Sequence, residues 1–267
     1  MKDTENGISC ECVHVTQRDR INSGGSKGNQ TKWFKEGYWY KADFLGFEGL
    51  AESICSCLLY ASDIRQFVKY YPVNIYEEET GECLLGCKSS DFGTIISGDV
   101  IMLHLPDRYN VWLNPTGSLP SDFTLFCQGV KQIFDVDIAD DMKAMLQFDL
   151  ITGNEDRVLR NFGLIKKGAS YEFAPLFDHG LSLLSDKTSI NRKNDIDNII
   201  YNPFGHFRKR GYGLNGLDIK PIIINMELLE KTLARVTVYP KTAVDGMLRV
   251  LRKSMNETEG ILWARME

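Results

Sequence analysis

Three side chains in the middle of this 267-residue chain have the types and spacing for one kind of chemistry. They are Asp156, Asn161 five positions on, and Asp178, in the run Leu150–Ile165 followed by Phe173–Leu184. A carboxylate such as Asp156 can orient a hydroxyl and take its proton. An amide oxygen and a second carboxylate, Asn161 and Asp178, can hold magnesium, a hard cation that takes oxygen ligands. Phosphoryl transfer needs that combination, because its catalysis is mostly positioning and neutralisation of charge gathering on the transferring group. The bland alternative for Asp156 and Arg157 is a surface turn with a solvated ion pair, worth little.

The elements that must position these groups are legible from periodicity and turn residues. Alternation predicts a strand near Cys12–Gln17, then a Gly-rich stretch over 21–30 that contains Gly24, Gly25, Ser26, Lys27 and Gly28. Glu36-Gly37 reads as a hairpin turn between two aromatic-rich strands. Leu50, Ile54 and Leu58, with Ala51 and Cys55 beside them, have helical spacing. Strands follow at Phe67–Tyr76 and Glu82–Cys87. From Asp91 the pattern turns mainly helical, with helices over Ser121–Phe134 and Ile138–Ile151. In the second, Ile138, Met142, Met145/Leu146 and Leu150 recur at helical intervals. Short strands flank 161–166 and 171–175, and two closing helices fit Glu227–Val238 and Lys241–Ser254, separated by Pro240. The expectation is an α+β fold of two lobes, a small β-rich one with a single helix over 12–90 and a larger, mainly helical one over 91–267, with the site in the cleft between them.

The backbone N–H groups of Gly24-Gly25-Ser26-Lys27-Gly28 can approach phosphates closely, although the spacing is not that of a Walker loop. Lys41 ends an aromatic strand. Glu52, eleven residues later on the amphipathic helix, can pair with it, and Glu48 competes for that pairing.

The order Asp156-Arg157-x-x-x-Asn161, then Asp178-His179-Gly180, resembles the catalytic and metal-binding loops of protein kinases in the spelling used by HipA-like and phosphatidylinositol kinases. Gly153-Asn154-Glu155-Asp156-Arg157 with Asn161-Phe162-Gly163 resembles the HipA-like group in particular. The resemblance covers roughly 24–178. It implies Asp156 as catalytic base, Asn161 and Asp178 as metal ligands, ATP and magnesium as cofactors, and transfer of the γ-phosphoryl group to serine or threonine of a protein. It also implies that Lys41 grips the α- and β-phosphates, and that Ser23 or Ser26 can accept phosphate. Many relatives have His where this chain has Val158, which implies the loss of one supporting hydrogen bond. A lipid or small-molecule kinase on the same scaffold, or a catalytically weak nucleotide-binding module, are the alternatives.

Bulk properties narrow the partners. A formal net charge of -5 gives no general electrostatic footprint for nucleic acid. No stretch of about 18 apolar residues suggests a membrane span, and the polar start MKDTENGISC does not read as a secretory signal. The seven cysteines form no CxxC pair and fit a reducing, cytoplasmic setting. The stretch 204–210 reads as a solvated basic loop, 185–201 as an exposed loop or lid, and His179 as a packing residue.

Overall fold

This computed structural model of the protein describes residues 12–21, 30–186, 214 and 216–266. The first part is a five-stranded sheet in the order β1-β4-β5-β3-β2, built from β1 (Cys12–Val15), β2 (Lys32–Lys35), β3 (Tyr38–Ala42), β4 (Tyr70–Glu77) and β5 (Glu82–Ser90). β1 runs parallel to β4 and the other pairs are antiparallel. The β2–β3 hairpin closes through Glu36 and Gly37, both at positive φ (53° and 81°), the primed turn geometry that matches strand twist. Alternation along the strands sends Val15, Trp33, Tyr40, Ala42, Val73 and Ile75 into one apolar cluster.

Helix α1 (Glu48–Tyr60) packs against β4 and β5. Tyr239 Oη donates to Gly86 O at 3.1 Å, and Gly49 of α1 lies against the same stretch of backbone. Yet the core of α1 is not the sheet's own. Leu50, Ile54 and Leu58 join one cluster that continues through Phe126, Met145 and Leu251. Those residues lie in α3 (Leu119–Phe134), α4 (Ala139–Thr152) and α6 (Lys241–Thr258), with α5 (Met226–Leu233) packed on α1. α1 therefore shares a core with the helical part while its other side meets the sheet.

The α+β composition expected from the sequence is what the structure shows. The differences are local. β4 starts at Tyr70 rather than Phe67, because the backbone before it is already engaged: Phe67 bridges Leu176 and Val68 N donates to Leu176 O at 2.9 Å. Helix α5 ends at Leu233 and α6 continues to Thr258. Four short elements were not anticipated: β6 (Ile95–Ser97), α2 (Gly98–His104), β9 (Ile222–Ile224) and β10 (Trp263–Arg265). β6 joins β7 (Gly163–Lys167) and β8 (Ser170–Phe173) in a three-stranded sheet, and β9 pairs with β10 in parallel. Among the described residues no helix is long and apolar enough to cross a membrane.

Candidate active site

Helix α4 ends at Gly153, whose φ of 62° reverses the chain as a left-handed C-terminal residue does. The reversal brings Arg157 back over Asp149, eight residues earlier on the helix. Arg157 Nε donates to Asp149 Oδ2 at 2.8 Å and Nη2 to Oδ1 at 3.0 Å, a two-pronged ion pair with both side chains fully buried. The Arg157–surface-turn alternative therefore fails, since its partner is Asp149 and water does not reach it. Asn154 Nδ2 also donates to Asp149 Oδ1 at 2.9 Å, and Asn154 Oδ1 accepts from Asp156 N at 3.0 Å, which holds the backbone of Asp156.

The same guanidinium spans to the second loop. Arg157 Nη1 donates to Asn161 O and to Phe177 O at 2.7 Å, and Nη2 to His179 Nδ1 at 3.0 Å. Because arginine only donates, His179 Nδ1 accepts and its ring proton sits on Nε2. Burial, with Arg157 adding to it, holds the His179 pKa well below the usual value, so the ring is neutral. His179 is thus packed, as its sequence context suggested, and also orients Arg157.

Asn161 Nδ2 donates to Asp156 O at 2.7 Å and approaches Asp156 Oδ2 at 3.5 Å. This use of the amide nitrogen leaves the amide oxygen as an atom able to serve as a ligand. Asp178 has φ 61°, a left-handed conformation that Asp tolerates better than most residues and that collects at functional sites. Its Oδ1 takes Lys41 Nζ at 3.1 Å, and Lys41 Nζ reaches Glu52 Oε1 at 3.2 Å, with the Tyr70 ring centroid 5.1 Å away. Glu52 Oε2 accepts from His179 N at 2.8 Å, so one carboxylate on α1 holds both the strand lysine and the Asp178 loop. Glu48, the competing partner, is engaged elsewhere. It accepts from the backbone N–H groups of Phe44, Leu45 and Gly46 at 2.6–3.1 Å, tying down the start of α1.

The electrostatics follow from this packing. Burial pulls Lys41 down, but Asp178 and Glu52 outweigh it and hold the lysine well above its usual value. Burial pushes Asp178 up, and Lys41 with Lys32 overrides that to bring it to about 2. Glu52 is raised by burial, against the pull of Lys41 and the His179 N–H.

The structure thus joins Asp156, Asn161, Asp178, Lys41 and Glu52 through one continuous set of contacts. Gly24, Gly25, Ser26, Lys27 and Gly28, with Ser23, lie outside the described residues, as do 187–201 and 204–210. Asp149 was missed. Its signal was an Asp in the helical register of buried Met142 and Met145/Leu146. Oxygen donors from Asn161 and Asp178 suit magnesium, which takes one or two protein ligands and completes its shell from phosphates and water.

No family model and no curated protein matches this sequence. Among solved structures, the chain is similar in fold to the Helicobacter pylori proinflammatory kinase CtkA, with a TM-score of 0.64 at 13% identity over 92% of this chain and 95% of that one. HipA of the Shewanella oneidensis MR-1 toxin–antitoxin system, solved with HipB and operator DNA, aligns at a TM-score of 0.36 and 13% identity. That alignment spans 90% of this chain and 58% of the HipA chain. The likeness to CtkA shows a kinase-like fold, and identity this low shows the fold alone.

Proposed function

We propose that this chain is an ATP- and magnesium-dependent kinase that transfers the γ-phosphoryl group to a hydroxyl, with serine or threonine of a protein as acceptor. The observation that carries the reading is Lys41, held between Glu52 of α1 and Asp178 of the following loop. A largely buried lysine fixed by two carboxylates from distant parts of the chain is a preorganised point charge for α- and β-phosphates.

In this reading Asp156 accepts the proton of the acceptor hydroxyl as its oxygen bonds to the γ-phosphorus and the bond to the β–γ bridging oxygen breaks. Asn161 and Asp178 hold magnesium, which neutralises the charge on the phosphates. The Arg157 hub keeps the Asp156 and Asp178 loops in register. Residues 12–90 and 91–267 act as the two lobes, and the composition of Gly24–Gly28 suits it to phosphates. Protein serine or threonine is the acceptor that the HipA-like spelling of 153–163 implies. The described cysteines are free thiols, which supports a reducing, cytoplasmic setting.

The acceptor is tested by radiolabel transfer from γ-labelled ATP to a protein extract and, in parallel, to phosphoinositide vesicles. Label on serine or threonine of protein, lost in Asp156→Asn, supports the reading. Label on lipid alone makes the chain a lipid kinase.

A further inference from the structure

Helix α1 lines a cavity of about 300 Å³ that phosphoryl transfer leaves unused. Ser53, Ser56 and Tyr60, three and four residues apart on one face of the helix, form its first wall. Lys69 and Tyr71, around the start of β4, form the second. Thr232 of α5 and Arg235 just beyond it form the third. Small-molecule pockets run from about 300 to 1,000 Å³, so this one suits a ligand of one or two rings. Among the described residues its lining carries two cations and no carboxylate, in a chain whose formal net charge is -5. Cations gathered in a cleft against the charge of the whole molecule favour an anion there. The planar fork of Arg235 matches a carboxylate in shape. Tyr60 and Tyr71 are half exposed, at 50% and 51%, and offer aromatic surface for a flat apolar body. Lys69 Nζ stands 5.3 Å from the Tyr60 ring centroid, which sets cation and ring side by side.

We propose that this cavity binds a small aromatic carboxylate, its charge on Lys69 and Arg235 and its ring between the tyrosines, and that the bound ligand regulates the site through α1. The regulatory part rests on the kinase reading above. Ser56 Oγ accepts from Tyr70 N at 3.1 Å, which ties the cavity wall of α1 to β4. The Tyr70 ring in turn lies 5.1 Å from Lys41 Nζ, and Lys41 pairs with Glu52 one turn before Ser56. A ligand bridging α1, β4 and α5 therefore braces the contact that keeps Glu52 opposite Lys41.

The test is calorimetric titration of the whole chain with cinnamate, with its neutral counterpart cinnamyl alcohol and with inorganic phosphate. It is run on wild type, Lys69→Met and Arg235→Met, with thermal melting of each. Wild type should take one equivalent of cinnamate and hold the alcohol and phosphate about tenfold more weakly, the worth of a charged hydrogen bond. Each variant should lose about three- to tenfold for cinnamate, lose nothing for the alcohol, and melt as wild type does because both side chains are exposed. Saturating cinnamate should tighten ATP binding about fivefold. Cinnamate binding no tighter than its alcohol, or equally in wild type and both variants, overturns the proposal. Phosphate binding as tightly as cinnamate makes this a bare anion site and overturns the ligand class. An ATP affinity unaltered by saturating cinnamate overturns the regulatory role. A wild type that binds no ATP refutes the kinase reading and the regulatory role with it, while the cinnamate titration alone still decides the site.

Discussion

Asp149→Asn is the substitution whose consequence is best determined by the geometry. It preserves the shape of the side chain and removes the charge that Arg157 meets at ion-pair distance, in a pair with both members buried and nitrogen–oxygen distances of 2.8 and 3.0 Å. Leaving one partner of a buried ion pair uncompensated costs about 3–5 kcal/mol. In a chain of this size, at roughly 2–4 °C per kcal/mol, the melting temperature should fall by about 10 °C. A companion, Asp149→Leu with Arg157→Met, removes both charges. Apolar replacement of a whole buried pair is often neutral or better, but here it also strands the carbonyls of Asn161 and Phe177 that Arg157 Nη1 bonds, at about 1–3 kcal/mol each. The double variant should be more stable than Asp149→Asn at the low end of that range and poor at phosphoryl transfer, since the guanidinium that bridges the Asp156 and Asp178 loops is then gone. Thermal melting and initial rates, measured on all three proteins, decide it. An Asp149→Asn melting temperature within about 2 °C of wild type would refute the claim that this pair organises the site.

Further outcomes follow from neighbouring contacts. Glu52→Gln removes the charged partner of Lys41, and initial rates should fall about ten- to a hundredfold, the worth of a charged hydrogen bond. Glu48→Gln should instead cost about 1–2 kcal/mol of stability, read by urea unfolding, because its carboxylate ties three backbone N–H groups. Equal kinetic losses in the two would overturn the assignment of Glu52. His179 stays neutral when folded, whereas the unfolded chain takes a proton below about 6.5, so stability is full above that pH and falls below it by up to about 1.4 kcal/mol per pH unit. Urea midpoints from pH 7 to 5 should show that slope in wild type and lose one proton's worth of it in His179→Gln. Asp178, held at about 2, contributes above its usual 3.8 and loses that contribution as the pH falls towards 2. In Gly86→Ala the new methyl would collide with Lys41 O and the Ile75 side chain. Unfolding should become easier by about 1–3 kcal/mol, and ATP affinity should drop as Lys41 shifts.

Parts of this molecule whose shape depends on neighbours in sequence could be read in advance. The Glu36-Gly37 turn carries its own backbone preference, and α1, α3 and α4 announce themselves by apolar spacing. The spacing of Asp156, Asn161 and Asp178 suggested their shared chemistry. What escaped was set by long-range partners. β9 and β10 are three residues each, too short for a period to register, and exist because each supplies the other's backbone hydrogen bonds. β6 and α2 share a short apolar run in which strand and helix patterns cannot be told apart. Glu48 and Glu52 stand one turn apart on the same face of α1, so the choice depended on the backbone N–H groups of Phe44, Leu45 and Gly46, which engage Glu48. Asp149 is an ordinary helix acid until the reversal at Gly153 brings Arg157 onto it.

The central claim, that Asp156 and Asp178 act on ATP held by Lys41, is met most directly by measuring ATP binding and magnesium-dependent turnover together in wild type, Asp156→Asn and Asp178→Ala. Asp156→Asn should bind ATP as wild type does and turn it over roughly a hundredfold or more slowly, as expected for loss of a catalytic base. Asp178→Ala should lose both turnover and the magnesium dependence of binding. Turnover in either variant equal to wild type, or a wild type that binds no ATP, would contradict it.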